Sequence, residues 1–184
     1  MPQNGELTRT SYEADRLLIW SGEPGWAGGW RAEVAEVEFG DGALCARGTQ
    51  LATDPLPYRL DYCLDASGEG CVTRSLRIAA VGEGWERRLG LERDPGGEWI
   101  AEVDSEGELE LPAPGGDALD LGEALDCDLG FSPLTNTMPV LRHRLHRQPG
   151  QADLVMAWIS VPTWGCTYRT SATSTWTPPA TVPP

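Results

Sequence analysis

The feature that most constrains this chain is a two-residue alternation of apolar and polar side chains, interrupted at short intervals by glycine- and proline-containing turns. Tyr58, Leu60, Tyr62 and Leu64 share one phase, with Arg59, Asp61 and Cys63 in the other. Val72, Leu76, Ile78 and Ala80 alternate with Thr73, Ser75, Arg77 and Ala79, and Leu89 and Leu91 stand between Arg88, Gly90 and Glu92. Trp99, Ala101 and Val103 alternate with Glu98, Ile100 and Glu102, and Leu109 and Leu111 flank Glu110. Successive side chains of a strand point to opposite faces, so each run reads as a strand with one face buried. Gly82-Glu83-Gly84, Asp94-Pro95-Gly96-Gly97 and Ser105-Glu106-Gly107 supply the backbone conformations of hairpin turns between them. The pattern predicts an antiparallel meander.

Two segments modify it. Between Trp30 and Phe39 the apolar phase slips, with Trp30, Ala32 and Val34 in one register and Val37 and Phe39 in the other, as a β-bulge would produce. Leu154 to Val161 is an almost continuous apolar run, which suits a strand covered on both faces and so points to a rolled sheet. Helices are scarce. The best starts at Ser132 with Pro133 in its first position and stops at Pro139; Tyr12 to Ile19 is a second candidate. The expected class is mainly β: a single antiparallel sheet rolled, barrel-like, around one short helix. A chain of 184 residues fits one such domain, placed at residues 1–162. Residues 163–184, rich in threonine and proline, read as an extended or disordered tail.

Charge narrows the function. Acidic residues outnumber basic ones 28 to 14, a net charge of -14, and such a field repels nucleic acids and anionic lipid surfaces. The one basic stretch, Arg142-His143-Arg144-Leu145-His146-Arg147, alternates like a solvated strand face. Five irregularly spaced cysteines do not form a disulfide framework, and no apolar run is long enough for a signal segment or a membrane span. The protein is expected to be cytoplasmic and not membrane-embedded. His143 and His146, three residues apart on a strand, would face opposite ways, so no metal site or cofactor is expected. A nucleophile elbow, a phosphate loop and a dinucleotide fingerprint are all lacking, which predicts that the chain is not an enzyme.

The most distinctive stretch is Asp126-Cys127-Asp128-Leu129 followed by Ser132-Pro133-Leu134-Thr135-Asn136-Thr137-Met138-Pro139-Val140. Two carboxylates two apart on a strand share a side and can bind sugar hydroxyls or pair with Arg142 or Arg144; residue types alone favour the pairing. The stretch resembles the signature of the family named Putative glycolipid-binding, where Asp-x-Asp precedes Thr-Pro-Phe-Thr-Asn-Thr-Leu-Pro-Ile-Arg-Arg-Leu. Pro57-Tyr58-Arg59-Leu60, Thr73-Arg74, Gly97-x-Trp99 and Ala157-Trp158-Ile159-Ser160-Val161-Pro162 resemble further parts of it, over roughly residues 17–162. The resemblance implies a spiral β-roll around one helix, and a homodimer. Of the family's arginine pair only Arg142 is matched, and the ending departs from the family pattern as a truncated or frame-altered one would.

The leading expectation is therefore a non-enzymatic carrier of a glycolipid or other apolar, sugar-bearing ligand held inside the roll. Asp126, Asp128, Thr135, Asn136 and Arg142 would hold its head group, with Trp99 and Trp158 first among the eight tryptophans for ligand contact. The alternatives are a small hydrolase or isomerase using Asp126 or Asp128 as acid/base, and a ligand-free structural homodimer.

Overall fold

Seven strands follow one another along the chain and pair in that same order, each antiparallel to the next. They are β1 (Ala14–Ser21), β2 (Arg31–Gly40), β3 (Ala43–Ala52), β4 (Tyr58–Ser67), β5 (Val72–Gly82), β6 (Trp85–Arg93) and β7 (Trp99–Gly107). The computed structural model describes residues 14–21, 29–54, 56–107, 121–147, 150–161 and 166–171, with backbone alone for 14–15 and 166–171. Leu109, Leu111, Trp26, Trp164 and Trp176 lie outside the described residues. The alternation read from the sequence sets the inner face: Leu60, Leu76, Leu89 and Leu91 are fully buried there beside Leu44, while Arg59, Arg77 and Arg88 point outward.

Three local expectations are corrected. The segment expected as a helix to Ile19 is strand β1, with Leu17 and Ile19 exposed on one face and Leu18 and Trp20 half-buried on the other. No bulge interrupts β2, which pairs residue for residue with β3 from Arg31↔Ala52 to Gly40↔Ala43. Its inward positions are Glu33, Ala35 and Val37, which leaves Trp30 and Val34 exposed in the opposite phase. Counting apolar residues alone had put the acid outside and so created a false slip. The register shift falls instead between Asp65 and Ala66, where β4 meets β5. It turns Thr73 inward, where its backbone N–H donates to the Leu125 carbonyl and its hydroxyl accepts from the Cys127 N–H. Ser105–Gly107 is not a turn but the end of β7, because β6 begins at Trp85 and pairs as far as Gly107.

The inner face is covered by the chain beyond the meander. Strands β8 (Asp126–Leu129), β9 (Leu154–Ile159) and β10 (Cys166–Ser171) form a second sheet, with β8 parallel and β10 antiparallel to β9. The protein is thus mainly β with one large antiparallel sheet and one short helix, but that sheet is not barrel-like: β1 and β7 remain its two edges. Cover comes from a second layer and not from closure. Within the segment expected as a tail from residue 163, Cys166–Ser171 is extended and paired as β10, so the second sheet continues past residue 162.

A 3-10 turn (Pro133–Asn136) and helix α1 (Thr137–Arg142) connect β8 to β9. Pro133 opens the turn as expected, but Pro139 does not end the helix. It is the third residue of α1, where a backbone N–H has no helical acceptor, so proline costs no hydrogen bond. In consequence Arg142–Arg147 is a helix end followed by turns and not a strand face, and Leu145 is buried.

One ion pair holds this cover in place. The fully buried Asp126 carboxylate receives both ends of the Arg142 guanidinium, Nη1 to Oδ1 at 3.1 Å and Nη2 to Oδ2. Nη1 also donates to the Gly70 carbonyl at 3.2 Å, tying β8, α1 and the β4–β5 turn together. Removing one partner of such a pair strands a buried charge. Arg142→Met is expected to lower unfolding free energy by about 3–5 kcal/mol, measured by urea denaturation; a loss below about 1 kcal/mol would mean the pair is ornamental.

Candidate functional site

Where β1 and β2 face β8 and β9, a cleft of about 510 Å³ opens between the two sheets. Its apolar walls are Trp20, Leu129, Phe131 and Trp158, and Arg31, Glu33, Asp128, Ser132 and Asn136 bring polar groups to it. An apolar pocket with a few convergent polar groups is the usual form of a ligand site. The outer-face groove of about 580 Å³ between β4 and β7 is different, since its Arg88 is already paired with Asp104 at 3.1 Å.

The turn after β8 shapes one wall. It is closed by Ser132 N–H donating to the Leu129 carbonyl at 3.0 Å, and Phe131 sits in it at φ 64, a left-handed conformation that a bulky side chain rarely adopts. The buried Thr135 hydroxyl fastens the turn from behind, accepting from Leu129 N–H at 3.1 Å and donating to the Ser132 carbonyl at 3.0 Å. Phe131 is thereby held with its ring under the Arg31 guanidinium, 3.8 Å from Cζ to the ring centroid. Arg31 also donates to the Asp54 carbonyl at 2.7 Å.

Beside this stack lies a buried acid. Glu33 is 3% exposed, and its Oε1 accepts from the Tyr62 hydroxyl at 2.6 Å and the Ser132 hydroxyl at 2.7 Å. Its Oε2 is buried without a hydrogen-bond partner. Tyr62 reaches it because Gly48 lies opposite in the register: a Cβ there would sit 2.3 Å from the tyrosine ring. Burial pushes the Glu33 pKa above the ordinary glutamate value, against the lowering effect of the Tyr62 and Ser132 hydroxyls and the neighbouring Gln50 amide. Burial, reinforced by the Glu33 charge, likewise raises the Tyr62 pKa, so this phenol stays a donor.

A carboxyl whose pKa is raised on folding makes the native state bind the proton more tightly than the unfolded chain does. Its contribution is fully present below the unfolded pKa and is lost as pH rises through the folded one. Glu33→Gln, which cannot ionise, is therefore expected to melt higher than the wild type by a margin that grows from about pH 4 to pH 8 in calorimetric scans. A constant difference would show that Glu33 does not titrate differently in the fold.

The structure gathers only some of the residues singled out in the sequence. Asp128, Asn136 and Trp158 line the cleft. Asp126 and Arg142 are joined to each other away from it, Thr135 supports its turn from behind, and Trp99 lies on the opposite edge strand, with Nε1 donating to the Ala124 carbonyl at 2.9 Å. Glu33, Arg31, Trp20 and Phe131 were missed. Glu33 alone had a readable signal: β2 alternates without a break if an acid is allowed to point inward. Among the described residues no group of three or more His, Cys, Asp or Glu could hold a metal, and no helix is long and apolar enough to cross a membrane.

An open antiparallel meander, roofed by a second small sheet and one short helix, defines a two-layered β protein with a cleft between the layers. Residues 18–175 match the model of the family described as "Putative glycolipid-binding", and the chain belongs to that family. The match extends beyond residue 162 into the segment carrying β10. A crystal structure of a DUF1089-family protein from Pseudomonas aeruginosa is similar, with 26% sequence identity, a TM-score of 0.50, and coverage of 84% of this chain and 76% of that one. No curated protein matches.

Proposed function

We propose that the protein is a non-catalytic binding module whose inter-sheet cleft takes an amphiphile with an uncharged, sugar-like head group. The observation that carries this reading is the composition of the cleft: Trp20, Phe131 and Trp158 offer flat apolar faces, with Asp128 and Asn136 beside them. Aromatic rings suit both the C–H face of a sugar and an alkyl chain, while carboxylate and amide groups bond to hydroxyls. The family description points to the same ligand class. The acid/base alternative loses support at Asp126, whose carboxylate is engaged by Arg142.

The proposal is tested by titrating octyl glucoside, below its micelle threshold, against intrinsic tryptophan fluorescence, with octyltrimethylammonium as the sugar-free comparison. Saturable quenching or enhancement is expected with the glucoside and a much weaker change with the cation. Trp158→Ala is expected to weaken glucoside binding about tenfold, and Asn136→Ala about threefold, as loss of one stacking face and one exposed hydrogen bond implies. Equal response to both amphiphiles, or no saturable response to the glucoside, refutes the reading.

A further inference from the structure

Among the described residues, the one buried carboxyl oxygen without a hydrogen-bond partner belongs to a side chain that lines the cleft. Of the two Glu33 oxygens, Oε1 is fully engaged by Tyr62 and Ser132, whereas Oε2 is buried, without a hydrogen-bond partner, in a side chain that lines the cleft. Burying a carboxyl oxygen without a partner is costly, and such atoms are rare in native structures. The surroundings also fix which oxygen can carry a proton. Oε1 receives two hydroxyl donors, so on the neutral acid the proton belongs on Oε2, which makes Oε2 a donor within a side chain that lines the cleft.

We propose that Glu33 is the residue that reads the ligand, its Oε2 donating as a neutral carboxyl to an uncharged oxygen, the hydroxyl or ring oxygen of a sugar or polyol. This rests on the cleft being the binding site and adds the atom that selects the head group. A ligand seated between Trp20, Phe131 and Trp158 excludes water from Glu33, which favours the neutral form further. A cationic head group finds no charge on the neutral Glu33 to attract it, while Asp128 and Arg31 bring opposite charges to the rest of the cleft. Proton and ligand therefore bind together: affinity is complete while Glu33 is protonated and falls as pH rises through its pKa.

The groups around Glu33 that could mimic this behaviour are few. Arg31 precedes it on β2, Gln50 lies opposite on β3, Tyr58 and Tyr62 come from β4, Asp128 from β8 and Ser132 from the turn beyond. Arginine and tyrosine do not change charge near neutrality, so Asp128 is the one competing titration. Glu33→Gln separates the two, because glutamine keeps an acceptor for Tyr62 and Ser132 and an N–H donor in place of Oε2, yet leaves Asp128 intact.

Isothermal titration of octyl glucoside into the full-length chain, across about pH 5 to pH 8, tests this. The wild type is expected to lose affinity with rising pH, and Glu33→Gln to keep about the low-pH affinity throughout. Glu33→Ala is expected to bind about tenfold more weakly at every pH. If Glu33→Ala does not fold, the comparison of wild type with Glu33→Gln decides. The proposal is overturned if Glu33→Gln shows the wild-type pH profile, or if it binds as weakly as Glu33→Ala while melting cooperatively. If the wild type binds and Glu33→Ala binds equally well, the ligand-reading role alone falls. If the wild type does not bind octyl glucoside at any pH, the cleft reading falls with it.

Discussion

A seven-stranded meander cannot bury its own inner face unless it closes, and this one does not. The inward leucines of β3 to β6 must be covered by residues that come later in the chain, and that requirement organises the described residues after position 120. Leu129, Leu134, Met138 and Ile159, all fully buried, are the complementary surface. Hydrophobic burial is non-directional and would accept many placements of such a cover. The Asp126–Arg142 pair, with its extra bond to Gly70, is directional and selects one.

A two-layer arrangement of this kind leaves a gap wherever the smaller layer stops short of the larger. Near β1 and β2 the small sheet presents Asp128 and Trp158, and the wide sheet presents Trp20 and Glu33. The cleft is thus a product of unequal layers, and its chemistry depends on which residues occupy that margin. Two departures from ordinary protein economy meet there: a phenylalanine in a left-handed turn and a glutamate with one oxygen lacking a partner. Neither helps the fold by itself. Their convergence on one cavity is what makes the margin a candidate site and not a packing defect.

How far the sequence could be read differs by level. Strand existence and facing were legible in β4, β5 and β6, because their inward positions are nearly all apolar and a period of two leaves one solution. The same logic failed in β2 for a single reason, the inward acid Glu33, and it failed at Thr73 because a register shift is a property of two strands together. Of the residues expected at the site, Asp128 and Asn136 reached the cleft and Asp126 and Thr135 did not, although all four belong to one distinctive stretch. Alternation places Asp126 and Asp128 on the same side of β8, but what each meets there depends on α1, which folds back over one end of the strand only.

By itself the sequence determined that this chain is a β-meander with an acidic exterior, one proline-opened helical segment and a doubly covered strand near its end. Those properties come from local periodicity and from residues whose backbone preferences do not depend on context. The tertiary structure decided that the sheet stays open, that a second sheet roofs it, and that Glu33 and Ser132 meet beside an inter-sheet cleft. Residues 99 positions apart along the chain cannot announce such a meeting, because their contact energy exists only once both layers are in place.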